Sequence, residues 1–416
     1  MWRSTPFKSR ISSLVFALGF FLAIACVICA SQSVDKTANG DDERTEAFEL
    51  YKQGKFVDAM PLFERLAADH PSDPATKEAW AWCILQYSGT LSDPGERKKA
   101  RVRARMIAVE AKNLGDTSQL VQVLLDLPEA GFEATFSDRK EVNEAMKAAE
   151  ADFSRGDLDK AREGYLRALA LDPMNYDAAL FIGDVYFKQH IYASAGEWFL
   201  RAIQSDANRE TAYRYWGDAL AATGKENDAR GKFIDAIVAE PYNRLSWTGL
   251  TNWLQRNKLE LNNVRLKDRV AVTVKDEKNV NITLDTSLGK DDPNALAWMT
   301  YGFGRASWHG DKFKNEFPNE PQYRRTLREE ADSLNLMITV LKEQKDYPNN
   351  LKRLDPTLQA LIKIQEAGFI EPFVLLNRAD PEIAKDYESY RALHRENIRG
   401  YLDTFVVPQI GSPTVK

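Results

Sequence analysis

Two hydrophobic periods follow one another along this chain. From residue 142 to residue 243 the apolar positions recur every three or four residues, as on one face of an α-helix, and turn-forming residues separate the helical stretches. The whole pattern repeats every 34 residues. A fixed period of this length is typical of helical hairpins that stack, because each hairpin then buries the apolar face of its neighbour.

Six columns keep the 34-residue register over three units. Small residues in two of them allow the helices of a hairpin to approach each other, and an aromatic ring fills the space between successive hairpins. Because proline cannot continue a helix, it ends the second helix of the hairpin. The columns read Ala149, Gly183 and Gly217; Gly156, His190 and Gly224; Ala161, Ala195 and Ala229; Tyr165, Phe199 and Phe233; Ala168, Ala202 and Ala236; Pro173, Ala207 and Pro241.

With these columns the sequence resembles the tetratricopeptide repeat family. The resemblance implies a mainly α fold, a right-handed α-solenoid of helical hairpins. The repeats would be residues 142–175, 176–209 and 210–243, and a capping helix would complete the array at residue 258.

A similar unit lies upstream, in the region 31–141. Residues 40–73 match the repeat best, and the rest of this region shows helical spacing with poorly matched columns. We therefore predict repeat-like helical hairpins for residues 31–141. In the best-matching unit the corresponding columns hold Gly54, Ala59, Phe63 and Pro71.

The helical period stops after residue 258 and gives way to strict alternation. Apolar side chains occupy every second position of two short stretches, which predicts a β-hairpin within residues 259–290. A lone hairpin is marginally stable in water, so we expect it to pack on a helical surface. The alternating residues are Val270, Val272 and Val274, then Val280, Ile282 and Leu284.

Helical spacing returns in residues 291–416, where no 34-residue register is visible. Three Asp-Pro pairs each place an N-cap aspartate before a proline at the first helical position. The region is either a separate α-helical domain or a set of strongly diverged repeats. The pairs are Asp292-Pro293, Asp355-Pro356 and Asp380-Pro381.

The N-terminal residues 1–30 combine Arg3, Lys8 and Arg10 with a stretch of 20 uncharged residues, Ile11 to Ala30. This pattern is typical of a secretory signal, and the stretch is also long enough to remain as a membrane anchor. Lipid attachment at a cysteine of the stretch is a third alternative. Cations before the stretch favour an N-terminus inside and repeats outside. We predict a periplasmic, secreted or membrane-anchored protein.

Composition narrows the function classes. The chain is 44% hydrophobic and 28% charged with a net charge of −5, values of a globular protein with more than one domain. The mild acidity argues against nucleic acid as the partner. The four histidines have no metal-ligand spacing, and no nucleophile or phosphate-loop motif is present. We predict no catalytic residue, no metal and no cofactor.

The resemblance implies that the ninth column of each repeat, on its first helix, faces the ligand. That column holds Glu150, Asp184 and Asp218, and the twelfth column adds Phe153 and Phe187. Relatives that clamp a C-terminal carboxylate have lysine, arginine and asparagine here, so that activity is not implied. A row of carboxylates predicts a basic partner segment with apolar anchors. The simpler interpretation is that these acids are solvated.

A second candidate surface lies in the basic stretch RKKARVRAR, where Arg97, Arg101 and Arg105 share one helical face. A solvated face is the usual explanation. The functional alternative is contact with an anionic lipid or glycan surface.

Together these features predict an interaction protein of the cell envelope, which binds a partner segment in the groove of the repeats. The alternative is an enzyme, or an accessory subunit of one, with its chemistry in residues 291–416. Convergence of acidic, arginine and histidine side chains of that region in a pocket would favour the alternative.

Overall fold

The computed structural model describes residues 38–91, 93–129, 135–262, 264–274, 280–289 and 291–411. The predicted signal or anchor, residues 1–30, lies outside them and stays a prediction. Within these ranges no helix combines the length and the apolar character needed to cross a membrane. The chain divides into two compact units, Met1–Ala207 and Asn208–Lys416.

The first unit is a succession of antiparallel helical hairpins. Side-chain caps start several of its helices: the Asp93 carboxylate accepts from the Glu96 amide, and the Asn175 side chain accepts from the Ala178 amide. The helices are α1 (Ala38–Lys52), α2 (Phe56–Asp69), α3 (Pro74–Thr90), α4 (Pro94–Asn113), α5 (Gln119–Leu125), α6 (Lys140–Arg155), α7 (Leu158–Leu171), α8 (Tyr176–Lys188) and α9 (Tyr192–Ser205).

The turn column of the repeat has the same backbone conformation at four positions. Gly54, Gly156 and Gly224 have φ angles of 73°, 85° and 73°, and His190 has a φ of 61° in the same column. Glycine adopts this left-handed conformation without the steric penalty that a Cβ brings. His190 therefore takes the place of a glycine in a turn, which explains its position without any ligand.

The small and aromatic columns pack against each other as the sequence predicts. A Cβ atom added to Gly183 would lie 2.4 Å from Phe199 Cε1, and one added to Gly217 would lie 2.6 Å from Phe233 Cε1. Glycine is needed where a helix lies this close to a ring. The mainly α fold of repeated hairpins is confirmed, and the handedness of the solenoid stays a prediction.

The second unit begins with the third repeat and continues to the C-terminal helices. Its core joins Phe233 of the repeat to Leu334 and Phe373 of the later chain. Its elements are α10 (Glu210–Ala222), α11 (Glu226–Ala239), α12 (Arg244–Asn257), β1 (Val270–Val274), β2 (Val280–Leu284), α13 (Pro293–Ser307), α14 (Phe313–Glu316), α15 (Leu327–Lys342), α16 (Tyr347–Arg353), α17 (Pro356–Glu366), α18 (Ile370–Phe373) and α19 (Tyr387–Tyr401), with π-helical turns at Trp308–Lys312, Val374–Arg378 and Leu402–Val406.

The predicted β-hairpin is confirmed. Strands β1 and β2 pair antiparallel, with Val272 opposite Ile282. The hairpin packs on α13 at Gly302, where an added Cβ would lie 2.7 Å from a methyl group of Ile282. A helical surface therefore supports the two strands, as the marginal stability of a lone hairpin requires.

The later chain covers the outer face of the third repeat's second helix, α11. Arg230 Nε donates to the Pro408 carbonyl at 2.9 Å, and the Tyr387 hydroxyl donates to the Val238 carbonyl at 2.7 Å. Ile234 is fully buried there, whereas its counterparts Leu166 and Leu200 on α7 and α9 are 41% and 40% exposed. The same repeat column is thus buried in one unit and open in the other.

One of the three predicted Asp-Pro helix starts is wrong. Helices begin at Pro293 and Pro356, but Asp380-Pro381 opens a turn and a 3-10 segment, Ile383–Asp386. The Asp380 carboxylate accepts from the amides of Glu382 and Ile383, so it caps this turn. The α-helix follows at Tyr387 because the tighter turn comes between.

Candidate ligand-binding face

The first helices of repeats one and two carry four of the predicted ligand residues in the first unit. Glu150 and Phe153 lie on α6, and Asp184 and Phe187 lie on α8. Phe153 and Asp184 are half-buried, whereas Glu150 is only 4% exposed. The expected open row of carboxylates is therefore not formed at Glu150, whose side chain turns inward. We refer to these four residues as the first-helix face.

Glu150 is held by one hydrogen bond and surrounded by charges. Its Oε1 accepts from the Tyr165 hydroxyl on α7, and among the described residues none donates to its Oε2. Burial raises the pKa of Glu150 to about 8, against the hydrogen bond from Tyr165. Asp177 raises this pKa further, while Arg101 and Lys188 lower it. The carboxyl group is therefore largely protonated near neutral pH.

Lys188 closes the edge of this face. Its ammonium lies 4.4 Å from the centroid of the Phe153 ring, a cation–π contact. Burial lowers the pKa of Lys188, and the carboxylates of Asp184 and Glu150 act in the opposite direction. The face thus combines an aromatic ring, a cation and acidic groups within one pair of adjacent helices.

Asp218, the third acid of the column, belongs to the second unit. It is buried on α10, and burial raises its pKa to about 7 although Arg214 and Arg256 lower it. Arg214 Nε donates to Glu210 Oε2 at 2.8 Å on the same helix. The acidic column is therefore divided between the two units, and Asp218 lies in a charge network of its own.

The basic stretch on α4 bonds mainly to its own unit. Arg97 Nη1 donates to the Leu91 carbonyl at 2.6 Å, and Arg105 Nε donates to the Leu127 carbonyl at 2.9 Å. Arg101 is buried and lies close enough to Glu150 to lower its pKa. The expected exposed basic face is wrong for Arg101, because its side chain points into the unit. Contact of Arg97 and Arg105 with an anionic surface stays a prediction.

The family comparison matches the same helices. Residues 146–210, from α6 to the start of α10, match the tetratricopeptide repeat family. This segment of the chain is similar to tetratricopeptide repeats. The matched segment includes all four residues of the first-helix face and excludes the C-terminal region. Among curated proteins, none matches the sequence.

Two solved structures are similar to this chain. Yeast Tom70 is 15% identical over 91% of this chain and 72% of its own, with a TM-score of 0.28. The tetratricopeptide domain of P58(IPK) is 11% identical over 88% of this chain and 98% of its own, with a TM-score of 0.26. Both TM-scores are below 0.5, so neither similarity supports a statement about partners.

Outside the matched repeats, a buried charge cluster joins α13, α15 and the turn Val374–Arg378. Its centre is a pair of fully buried glutamates, Glu329 and Glu330. Glu330 accepts from Arg378 Nε and Arg325 Nη2, each at 2.5 Å, and Glu329 accepts from Arg305 Nε at 2.5 Å. The hydroxyls of Tyr301 and Tyr323 add bonds to Glu330 and Glu329 respectively.

Sequence reasoning missed this cluster, although the segment RRTLREE carried a signal. Thr326 caps α15 by accepting from the Glu329 amide, and two charged pairs flank it. Burial raises the pKa of Glu329. Burial also acts to raise that of Glu330, but the charges of Arg378, Arg325 and Arg305 outweigh it and lower the pKa. Each of the four carboxylate oxygens lies within hydrogen-bond distance of a donor.

His309 is the histidine nearest to this cluster. Its ring lies 3.9 Å from that of Tyr323, centroid to centroid, and burial together with the Arg305 charge lowers its pKa. Acidic, arginine and histidine side chains of residues 291–416 therefore do converge. The carboxylate oxygens of Glu329 and Glu330 all have arginine or tyrosine donors within reach, which suits a structural role.

Proposed function

We propose that this chain is a non-enzymatic protein–protein interaction scaffold of the cell envelope. Its tetratricopeptide repeats indicate a protein-interaction scaffold, and the finer assignment is that a partner segment binds on the first-helix face. One observation carries this assignment: the family match at residues 146–210 coincides with the helices that hold Phe153, Asp184 and Lys188 half-exposed.

The chemistry of the face favours a segment with basic and apolar residues. The Phe153 ring offers apolar contact and already holds a cation over its surface, and Asp184 supplies a carboxylate on the neighbouring helix. Aromatic side chains at the centre of an interface contribute much of its binding free energy, while charges at the rim govern association rate.

An enzymatic role in residues 291–416 would need the charge cluster around Glu329 and Glu330 to act on a substrate. We assign that cluster to folding. Its carboxylate oxygens are already within reach of arginine and tyrosine donors, and a catalytic carboxylate needs a free position for the reacting proton.

The envelope location rests on the charge pattern of residues 1–30 alone. A reporter enzyme that matures only outside the cytoplasm, fused after Lys416, should be active. Activity of a reporter that works only in the cytoplasm would contradict the location. Comparison with a fusion that starts at Asp41 shows whether the N-terminal residues are responsible.

Site-specific photo-crosslinking in cells tests the binding face. A photoreactive amino acid at Ser154, half-buried on α6 beside Phe153, should capture the partner. The control position is Leu166, which is exposed on the second helix of the same repeat. Equal capture from both positions, or capture from Leu166 only, would place the binding surface elsewhere.

A further inference from the structure

We infer that the Glu150 carboxylate binds a cationic side chain, lysine or arginine, of the partner segment. This inference rests on the proposed function and specifies the chemistry of one contact within it. The partner residue would pair with Oε2, the oxygen of Glu150 to which none of the described residues donates.

One carboxyl oxygen of Glu150, Oε1, is fixed by a hydrogen bond, and the other, Oε2, has no donor among the described residues. Tyr165 donates to Oε1 from the second helix of the same repeat and so fixes the orientation of the carboxyl group. Tyr165 and Glu150 are both buried, so Oε2 is shielded from bulk water. A buried acceptor without a donor is costly, and a charged donor relieves that cost most strongly.

The charges around Glu150 favour a cation over an anion. Helix α4 contributes Arg101, and α8 contributes Asp177 and Lys188. Asp184 and Asp152 also act on Tyr165, and Asp152 is paired with Arg155. With Glu150 ionised, the three carboxylates of Glu150, Asp177 and Asp184 face two cations. The group is then net negative, which attracts a cation rather than an anion.

The access route leads past Lys188. Its flexible side chain lies over Phe153 at the edge of the face, and its charge acts on Glu150. A lysine side chain carries a strongly hydrated ammonium on four rotatable carbons, so it can turn outward when another cation takes its place. The partner cation would then lie between the Phe153 ring and Oε2.

Binding of this kind is linked to a proton. Burial holds the pKa of Glu150 at about 8 in the free protein, and a bound cation lowers it. Binding therefore releases a proton, and the affinity rises by roughly tenfold per pH unit below pH 8 because only the ionised fraction is competent. A neutral hydrogen-bond acceptor would instead need protonated Glu150, and its affinity would fall as the pH rises.

The experiment uses peptides selected on the full chain. A library of displayed, histidine-free 12-residue peptides is selected at pH 8, and the peptide with the strongest binding serves as the probe. Its affinity and its proton release are measured by titration calorimetry between pH 6 and pH 8, in two buffers that differ in ionisation enthalpy. A second peptide replaces its lysines and arginines with glutamine, one at a time.

Two protein variants accompany the wild-type chain. Glu150→Gln keeps an oxygen for the Tyr165 hydroxyl but cannot ionise. Glu144→Gln makes the same change at an exposed position of α6. We expect the wild type and Glu144→Gln to bind more tightly as the pH rises, with proton release. We expect Glu150→Gln to lose both effects and to discriminate less against the glutamine peptide.

Affinity that is independent of pH, that falls with rising pH, or that keeps its slope in Glu150→Gln would overturn the inference. If Glu150→Gln folds poorly, proton release on peptide binding by the wild type still tests the inference. Phe153→Ala with Asp184→Lys separates the two levels of the proposal. If this double variant lowers the affinity for the peptide while Glu150→Gln has no effect, the first-helix face binds the peptide, but the contact with Glu150 is wrong. If neither changes binding, both proposals fail.

Discussion

Glu150 in the first unit and Glu330 in the second are both buried glutamates, and their surroundings differ in kind. Glu330 receives two arginine donors and a tyrosine hydroxyl, whereas Glu150 receives one tyrosine hydroxyl on one oxygen. Their pKa values consequently move in opposite directions, downward for Glu330 and upward to about 8 for Glu150.

The difference shows that burial alone does not distinguish a structural carboxylate from a binding one. A carboxylate that is fully paired holds helices together and has nothing left to offer a ligand. A carboxylate with an unmade bond carries an energetic cost that a partner can relieve. In this molecule the fully paired carboxylates of Glu329 and Glu330 lie outside the matched repeats, and the carboxylate with an unmade bond, Glu150, lies within them.

The largest expected effect tests the fully paired carboxylate of Glu330. Glu330→Gln leaves Arg378 and Arg325 without their shared counter-charge, and removal of one partner from a buried ion pair costs about 3–5 kcal/mol of unfolding free energy. Glu150→Gln should cost nothing comparable, because its carboxyl group is already largely protonated. Urea-induced unfolding followed by circular dichroism measures both. Equal losses of unfolding free energy in Glu330→Gln and Glu150→Gln would contradict the difference between the two glutamates. Glu343→Gln, on the surface, is the control.

A smaller effect tests a feature that both units share, the packing of a helix glycine against an aromatic ring. Gly217→Ala would force a methyl group to within 2.6 Å of the Phe233 ring, and overpacking of this kind costs about 1–3 kcal/mol. Gly183→Ala should behave alike in the first unit. Gly231→Ala is the matched control, because its nearest atom, Arg399 Nη2, lies 3.5 Å away. An unchanged thermal midpoint for Gly217→Ala would contradict the close packing of this column.

The pH dependence of stability should have opposite signs at the two glutamates. The pKa of Glu150 is raised from 4.5. Its contribution to the unfolding free energy is therefore complete below about pH 4.5 and is lost as the pH rises to about 8. Relative to the wild type, the unfolding free energy of Glu150→Gln should therefore increase by on the order of 1 kcal/mol per pH unit in this window. The pKa of Glu330 is lowered, so its advantage over glutamine should shrink as the pH falls below 4.5. Parallel slopes would refute the assignment.

The smallest expected effect concerns the half-buried acid of the binding face. Asp184→Lys should weaken binding of the partner captured through Ser154 by at most about 1 kcal/mol, mainly by slowing association. The loss should be larger at low salt than at high salt. Glu163→Lys, on the exposed side of α7, makes the same change away from the face. An identical salt dependence for both variants would show that Asp184 is merely solvated.

The sequence predicted the parts of the fold that depend on short-range constraints. The left-handed turns at Gly54, Gly156 and His190 follow from one repeat column, and the hairpin at Val270 and Ile282 follows from alternation. Each needs only the local backbone and the nearest helix, so a periodic pattern is sufficient to identify it.

The environment of the candidate site depends on side chains that meet across distant elements. The column position placed Glu150 on a first helix, but its carboxyl group is held by Tyr165, and its pKa is lowered by Arg101 from another hairpin. The Glu330 cluster brings in Arg378 from 48 residues away. A single sequence contains no record of such encounters, which explains why an open acidic row was expected where a buried carboxyl group is found.

The contact of Arg230 with the last part of the chain has a consequence for synthesis. Its guanidinium bonds to the carbonyls of Val407 and Pro408, 177 and 178 residues further on, whereas Asn175 and Phe136 in the first unit bond over 39 residues. During translation the first unit can fold soon after its own residues leave the ribosome. The bonds of α11 to these two carbonyls form only after residues 407 and 408 have been synthesised, so the third repeat is completed late.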